Sequence, residues 1–185
     1  MTEREPFYRE DPVEPLPELP RNPVHVVLEN FRSAYNVGAV FRTADATALA
    51  QVHLCGYTSH PPSTKLTKTA LGATDYVPWR HYREPHEAVA WLRERNIPII
   101  GIETAAEAEA HHVFAWPRPV AIVFGNEVEG ITPETLAACD AIVRIPMQGF
   151  KNSLNVATAF GVVVFEILRQ FGALPTGSTE NGLPR

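Results

Sequence analysis

Short apolar runs along the chain alternate with longer segments whose apolar residues recur every three or four positions. "PVHVVLE" (Pro23 to Glu29), "QVHLCG" (Gln51 to Gly56), "IPIIGIE" (Ile97 to Glu103), "PVAIVFG" (Pro119 to Gly125) and "AIVRIPM" (Ala141 to Met147) read as strands. Several are apolar at successive positions, as strands covered on both faces must be. Helical spacing marks "NVGAVFRTADATALA" (Asn36 to Ala50), "PHEAVAWLRERN" (Pro85 to Asn96), "TPETLAAC" (Thr132 to Cys139) and the segment Ser153 to Phe171. Between them, "STKLTKTALGATDYVPWRHY" predicts a short helix before Gly72 and a strand ending near Tyr82. Strands alternating with helices predict an α/β fold, a mostly parallel sheet flanked by helices.

This folded part runs from residue 22 to residue 171. Ahead of it, Pro12, Pro15, Pro17 and Pro20 deny a helix to an acidic segment, so residues 1–21 are expected to form an extended arm. Residues 172–185, "GALPTGSTENGLPR", are expected to be a disordered tail. With 185 residues, 45% of them hydrophobic, the chain can bury one good core but has little room for a second.

Cys55 and Cys139 stand far apart with no C-x-x-C pair or Cys/His cluster, which argues against a disulfide framework and a structural zinc site. No metal is expected. Nor does any apolar run approach the roughly 20 residues that a membrane helix needs. The N-terminus lacks the apolar stretch of a signal peptide, so a soluble protein of the reducing cytoplasm is expected. His111-His112 is read as an exposed pair rather than a ligand set, and Trp79, Trp91 and Trp116 as core or interface residues.

The formal charge of −5 gives no general reason to expect a nucleic-acid partner, but the charges are unevenly distributed. From Arg32 to Arg83, the cations Arg32, Arg42, Lys65, Lys68, Arg80 and Arg83 face only Asp45 and Asp75. Such an excess can form a phosphate-binding face, or be scattered over several solvated ones.

Open parallel sheets bind ligands beyond the carboxyl ends of their strands. Three of the predicted strands end in glycine with polar groups: "ENFRSAYNVGAVFRT" after the first, "GNEVEG" after "AIVF", and "QGFKNSLNV" after "IPM". They suggest one composite pocket. Neither G-x-G-x-x-G after the first strand nor a G-K-[ST] ending is present, which disfavours hydride transfer and NTP hydrolysis.

In order and wording, these stretches resemble the three motifs of the TrmH-like (SpoU) RNA 2′-O-ribose methyltransferases of the SPOUT superfamily. The N-x-G-x-x-x-R-T motif reads Asn36-Val-Gly38-Ala-Val-Phe-Arg42-Thr43, and G-x-E-x-x-G reads Gly125-Asn126-Glu127-Val-Glu-Gly130. I-P-M-x-G-x-x-x-S-L-N-V runs in full from Ile145 to Val156. "KTALGA" (Lys68 to Ala73) is also similar to many members, while Ala157 departs from the serine that relatives often carry.

The resemblance implies a C-terminal deep trefoil knot, a homodimer with active sites near its interface, and S-adenosylmethionine as cofactor. Cofactor contacts carried over by motif are Thr104, Gly125, Ile145, Met147 and Leu154. Arg42 is the implied catalytic arginine, with Asn36, Glu127, Ser153 and Asn155 as its companions. A guanidinium holds its proton in proteins, so Arg42 is better suited to bind phosphate and stabilise charge on the 2′-oxygen than to act as a base. Glu127 either holds its loop or accepts the proton.

RNA contacts are expected from Arg32, Lys65, Lys68 and Lys151. Small members often act on transfer RNA, so tRNA is the favoured substrate and ribosomal RNA the close alternative. A knot protein that binds RNA without catalysis would be expected to lose Arg42 or the cofactor loop, and another kind of α/β nucleotide enzyme would need the missing glycine fingerprints.

Overall fold

The computed structural model describes residues 19–105 and 107–174, so residues 175–185 of the expected tail and residues 1–18 of the expected arm lie outside the described residues, while Gly172 and Ala173 bond back to the last helix turn and Ala173 and Leu174 pack against the core. Among these residues seven strands form one sheet: β1 (Asn22–Glu29), β2 (Leu49–Cys55), β3 (Trp79–Tyr82), β4 (Ile99–Ile102), β5 (Glu109–Ala110), β6 (Val120–Phe124) and β7 (Ala141–Arg144). The helices are α1 (Ala34–Ala46), α2 (Thr64–Ala70), α3 (Ala73–Tyr76), α4 (Pro85–Arg93), α5 (Pro133–Ala137) and α6 (Val156–Gln170). All strand pairs are parallel, in the order β3-β2-β1-β6-β4-β7-β5.

The chain builds outward from β1 through β2 to β3, then crosses to lay down β4 and β5. It returns to insert β6 between β1 and β4, and β7 between β4 and β5. The direction of winding reverses between β1 and β6, which opens a crevice at their carboxyl ends.

Alternation along β1 shows why both faces of the sheet are covered. Val24, Val26 and Leu28 pack into a core with Val37 and Phe41 of α1, Leu66 of α2 and Phe160 and Val164 of α6. Val27 points the other way, into a core with Ala88 and Leu92 of α4 and Val123 of β6. Trp79 packs against the first core and Trp116 is buried within it.

The second face also holds a buried polar line. His25 Nδ1 lies 3.1 Å from His53 Nε2, His53 Nδ1 lies 3.1 Å from the Tyr82 hydroxyl, and the Trp91 ring packs on both histidines. Burial first, then the charge of Arg95, brings the His25 pKa down to about 4. Burial, then His25, Arg80 and Arg95, brings that of His53 to about 3. Unfolding releases both rings to their ordinary value near 6.5, so between that pH and 4 the unfolded chain binds more protons than the folded one. The stability contributed is complete above pH 6.5 and is lost as the pH falls through this window. Urea unfolding is expected to show about 4 kcal/mol less stability at pH 5 than at pH 7, about 2 from each ring, in a range where ordinary carboxylates change little. Equal stability at the two pH values would show that protonation of these rings is accommodated.

Two helix boundaries differ from the sequence reading. The helix expected to reach Ala50 stops at Ala46, because Thr47 caps it and Ala48 turns left-handed (φ 46°), releasing Leu49 into β2. The last helix starts at Val156 rather than Ser153, because it is Asn155 whose side chain accepts the first-turn amides. The sequence reading missed β5, two residues long, and α3, a single turn.

Candidate active site

The carboxyl ends of β6, β4 and β7 meet the starts of α1 and α6 around a cavity of about 500 Å³. Its lining includes Asn36, Thr104, Gly125, Glu127, Ile145, Met147, Ser153, Leu154 and Asn155, all named from the sequence, together with Glu103 and Asn126, which were not. Arg42 is absent from the lining.

The site is held together by helix starts. The first turn of α1 contains no acidic residue, and its leading amides are supplied from outside. Glu127, on the loop after β6, accepts from the N–H groups of Arg32 (2.8 Å) and Ser33 (3.1 Å) and from Nδ2 of Asn36 (2.8 Å). A carboxylate here satisfies unpaired amides and meets the positive end of the helix dipole. Ser33, not Asn36, is the N-cap, so the Asn36 side chain is free for other partners.

Asn36 uses both of its amide groups. Besides donating to Glu127, it accepts at Oδ1 from Nδ2 of Asn155 (3.1 Å), whose own Oδ1 caps α6 by accepting from Ala157 (3.0 Å) and Thr158 (3.3 Å). Glu127, Asn36 and Asn155 therefore tie the loop after β6 to the starts of α1 and α6. Burial works to raise the Glu127 pKa, but the bonds from Arg32, Asn36, its own backbone amide and Ser33 outweigh it and hold the carboxyl below its ordinary value. A carboxylate with these partners is a weak base and a firm strut.

Gly125 and Gly130 close the loop after β6 on itself. A Cβ on Gly125 would lie 2.1 Å from the Gly130 carbonyl carbon and 2.1 Å from the Ile131 nitrogen. Asn126 and Gly130 exchange backbone hydrogen bonds of 2.9 Å each way, while Asn126 Oδ1 accepts from Val128 and Glu129. Glu103, at the end of the strand that led to Thr104, accepts from the Thr104 N–H (2.8 Å) and the Ile131 N–H (3.2 Å). Its signal was present in the sequence as a carboxylate ending "IPIIGIE". That of Asn126 lay in "GNEVEG", where asparagine ahead of a turn bonds amides two and three residues on.

Gly38, the glycine of the first motif, serves packing. A Cβ there would lie 2.2 Å from Thr69 Oγ1, so it lets α2 approach α1. Arg42 follows Asn36 by six residues, or about 240° around the helix and about 9 Å along it. It is exposed, as are Arg32, Lys65, Lys68 and Lys151. The basic stretch is not one face: Arg80 lies over the Trp91 ring at 5.6 Å, joined there by Arg95 at 3.9 Å. Among the described residues no group of three or more His, Cys, Asp or Glu is placed to hold a metal, and no helix is long and apolar enough to cross a membrane.

The description "SpoU rRNA Methylase family" matches residues 23–165 of the chain. A tRNA (guanosine(18)-2′-O)-methyltransferase of Thermus thermophilus is 33% identical over 145 residues, covering 78% of this chain and 74% of that one. A 23S rRNA (guanosine-2′-O-)-methyltransferase of Vibrio parahaemolyticus is 35% identical over 150 residues, 80% of this chain and 60% of the relative. The AdoMet-bound rRNA methyltransferase of Sinorhizobium meliloti superposes with a TM-score of 0.74 at 28% identity, over 79% of this chain and 56% of that one. The chain thus spans well under two thirds of the latter two proteins.

Proposed function

The chain belongs to the SpoU rRNA methylase family, and on that premise we propose that it transfers the methyl group of S-adenosylmethionine to a ribose 2′-hydroxyl of RNA. The observation that carries the reading is the cavity bounded by all three family motifs and braced by the Glu127–Asn36–Asn155 chain. Its contents suit the cofactor. Ile102, Phe124, Ile145 and Leu154 offer apolar surface for a nucleobase, the Gly125 turn lets the segment 130–131 close the loop beside it, and Glu103 brings negative charge toward the ammonium and sulfonium groups of the methionine end.

When bound, S-adenosylmethionine supplies an electrophilic methyl group on a sulfonium. The protein's task is to seat the ribose in line with it and stabilise charge developing on the 2′-oxygen. Glu127 is committed to the Arg32, Ser33 and Asn36 N–H donors and acts as a positioning residue rather than the proton acceptor. Asn36, Asn155 and Ser153 are the groups at hand to orient the ribose, and Arg42 the group to bind the adjacent phosphate and the developing charge.

That role for Arg42 goes with a second copy of the chain. Exposed apolar groups lie on α6 (Val162, Phe165) and on α1 (Tyr35), which pack against each other, and Arg42 is exposed on α1 as well. We read these helices as the face of a homodimer that brings Arg42 to the partner's cavity. We also read the late insertion of β6 and β7 between earlier strands as part of a C-terminal trefoil knot. Transfer RNA is the substrate we favour, since the tRNA-modifying relative is matched over 74% of its length and the rRNA relative over 60%. An RNA substrate and free cysteines suit the cytoplasm.

The test is transfer of a labelled methyl from S-adenosylmethionine to tRNA and to 23S rRNA, with the product mapped for 2′-O-methylation. No labelled RNA from either substrate would refute the reading. Lys65 and Lys68, both exposed on α2, provide a further prediction. If each neutralises a phosphate, the double alanine variant is expected to flatten the log–log salt dependence of RNA binding by about 1.4, at roughly 0.7 per contact. Filter binding across a salt series reads this out, and an unchanged slope would mean that both lysines are merely solvated.

A further inference from the structure

Beside the cavity, and outside its lining, the loop after β2 presents an aromatic ring to solvent. Tyr57 is 62% exposed. An exposed loop tyrosine is ordinarily free to move, but this one is held at both ends. Its hydroxyl lies 2.7 Å from Nδ2 of Asn126, which also donates to the Asn30 carbonyl at 2.8 Å. At the other end the backbone is pinned: the Gly56 N–H donates to the Tyr82 carbonyl, and the Thr58 N–H to that of Cys55. The buried Thr58 hydroxyl lies 2.7 Å from the Cys55 carbonyl and 3.0 Å from that of Leu28, and accepts from the Phe31 N–H at 2.9 Å. Little freedom remains for a ligand to remove on binding, which is what a preorganised contact surface requires.

Three neighbours relate the ring to the chemistry. Asn126 lines the cavity and precedes Glu127 in the motif loop. Phe31, bonded to Thr58, precedes Arg32, so the neighbouring loop carries an exposed cation. The same loop runs on to Ser63, the N-cap of α2, which carries Lys65 and Lys68. Aromatic surface flanked by cations is how proteins grip single-stranded RNA.

We propose that the Tyr57 ring is the platform on which the base of the methylated nucleotide stacks. The proposal rests on reading the cavity as a ribose methylation site. The base hangs from the carbon next to the one that bears the reacting hydroxyl. When that hydroxyl sits at the cavity mouth, its base lies at the rim, one residue beyond the lining, where Tyr57 stands. Phe150 and Tyr35 are as exposed, but no hydrogen bond among the described residues tethers either ring. Stacking favours no single base, so the platform supplies grip and orientation while RNA shape selects the nucleotide.

Two variants separate this from a purely structural role for the hydroxyl. Tyr57→Phe removes the bond to Asn126 and keeps the ring; Tyr57→Leu removes the ring and keeps apolar bulk. Filter binding and methyl transfer are measured with unfractionated tRNA and, in parallel, 23S rRNA, alongside S-adenosylmethionine affinity by calorimetry. The leucine variant is expected to raise Kd and KM for RNA by about 5- to 150-fold, the worth of one stacked base. The phenylalanine variant should stay within about threefold, and both should keep the cofactor affinity and the kcat at saturating RNA. Leucine binding RNA like the unaltered chain would overturn the proposal, and so would phenylalanine falling as far as leucine. If the unaltered chain and the phenylalanine variant bind RNA, the leucine variant does not, and none transfers a methyl group, the activity reading fails and with it the assignment to the methylated base, while Tyr57 stands as an RNA-stacking ring. If the unaltered chain binds neither RNA, both fail.

Discussion

Arg42→Ala is expected to lower methyl transfer by at least about 1,000-fold while leaving S-adenosylmethionine affinity within about twofold, the pattern of a group that acts on the reacting oxygen and not on the cofactor. The geometry makes the prediction more specific. Asn36 points into the cavity from the first turn of α1, and a residue six positions later faces another side of the helix. In the dimer proposed above, Arg42 would enter the cavity of the neighbouring copy across the face formed by α1 and α6. Co-expression of Arg42→Ala with a variant unable to bind cofactor is then expected to restore activity. Random pairing makes half of the dimers mixed, each with one intact composite site, so recovery approaches about a quarter of the unaltered level. Near-normal turnover in the single variant would remove Arg42 from the mechanism. Absence of rescue in the mixed dimers would place its action within one protomer.

How far the sequence could be read depended on whether a feature was carried locally or by contacts between distant segments. The parallel sheet was legible because β1, β6 and β4 are buried on both faces and so nearly uniformly apolar. Short elements were not: β5 has two residues and α3 four, too few for any periodicity to register. The candidate site was legible as three polar, glycine-bearing strand ends, and the cavity gathers residues from all three. What could not be read was the division of labour inside it. Glu127 bonds Arg32 across 95 positions and Asn155 bonds Asn36 across 119, and no local pattern encodes such pairs. The apolar spacing began these two helices at Asn36 and Ser153 without saying which polar residue caps them. The structure gives the caps to Ser33 and Asn155. Likewise the run of cations from Arg32 to Arg83 looked like one surface only because the sheet separating them is invisible along the chain; Arg80 lies over the ring of Trp91, which packs on the α4 side.

Gly125→Ala is expected to abolish cofactor binding by a route that the sequence motif does not reveal. Glycine at a strand end suggests backbone freedom, but the constraint here is space. The added methyl would lie 2.1 Å from the Gly130 carbonyl carbon and the Ile131 nitrogen and 2.2 Å from the Gly130 oxygen, and all three are backbone atoms that no rotamer change can move. Relief requires the segment 130–131 to shift as a unit. That displaces the paired Asn126–Gly130 amides and pulls the Ile131 N–H from Glu103, the carboxylate set against the proposed cationic end of the cofactor. The loop also carries Glu127, so the strut to Asn36 loosens with it. Calorimetric affinity for S-adenosylmethionine is expected to fall at least about 100-fold and stability by about 1–3 kcal/mol, the usual cost of forcing a methyl group into packed surroundings. Gly149→Ala is the matched control: its Cβ would find nothing within 4 Å, so cofactor affinity should be unchanged. A Gly125→Ala protein that binds the cofactor normally would show that the turn after β6 yields without cost and is not the floor of the cofactor site.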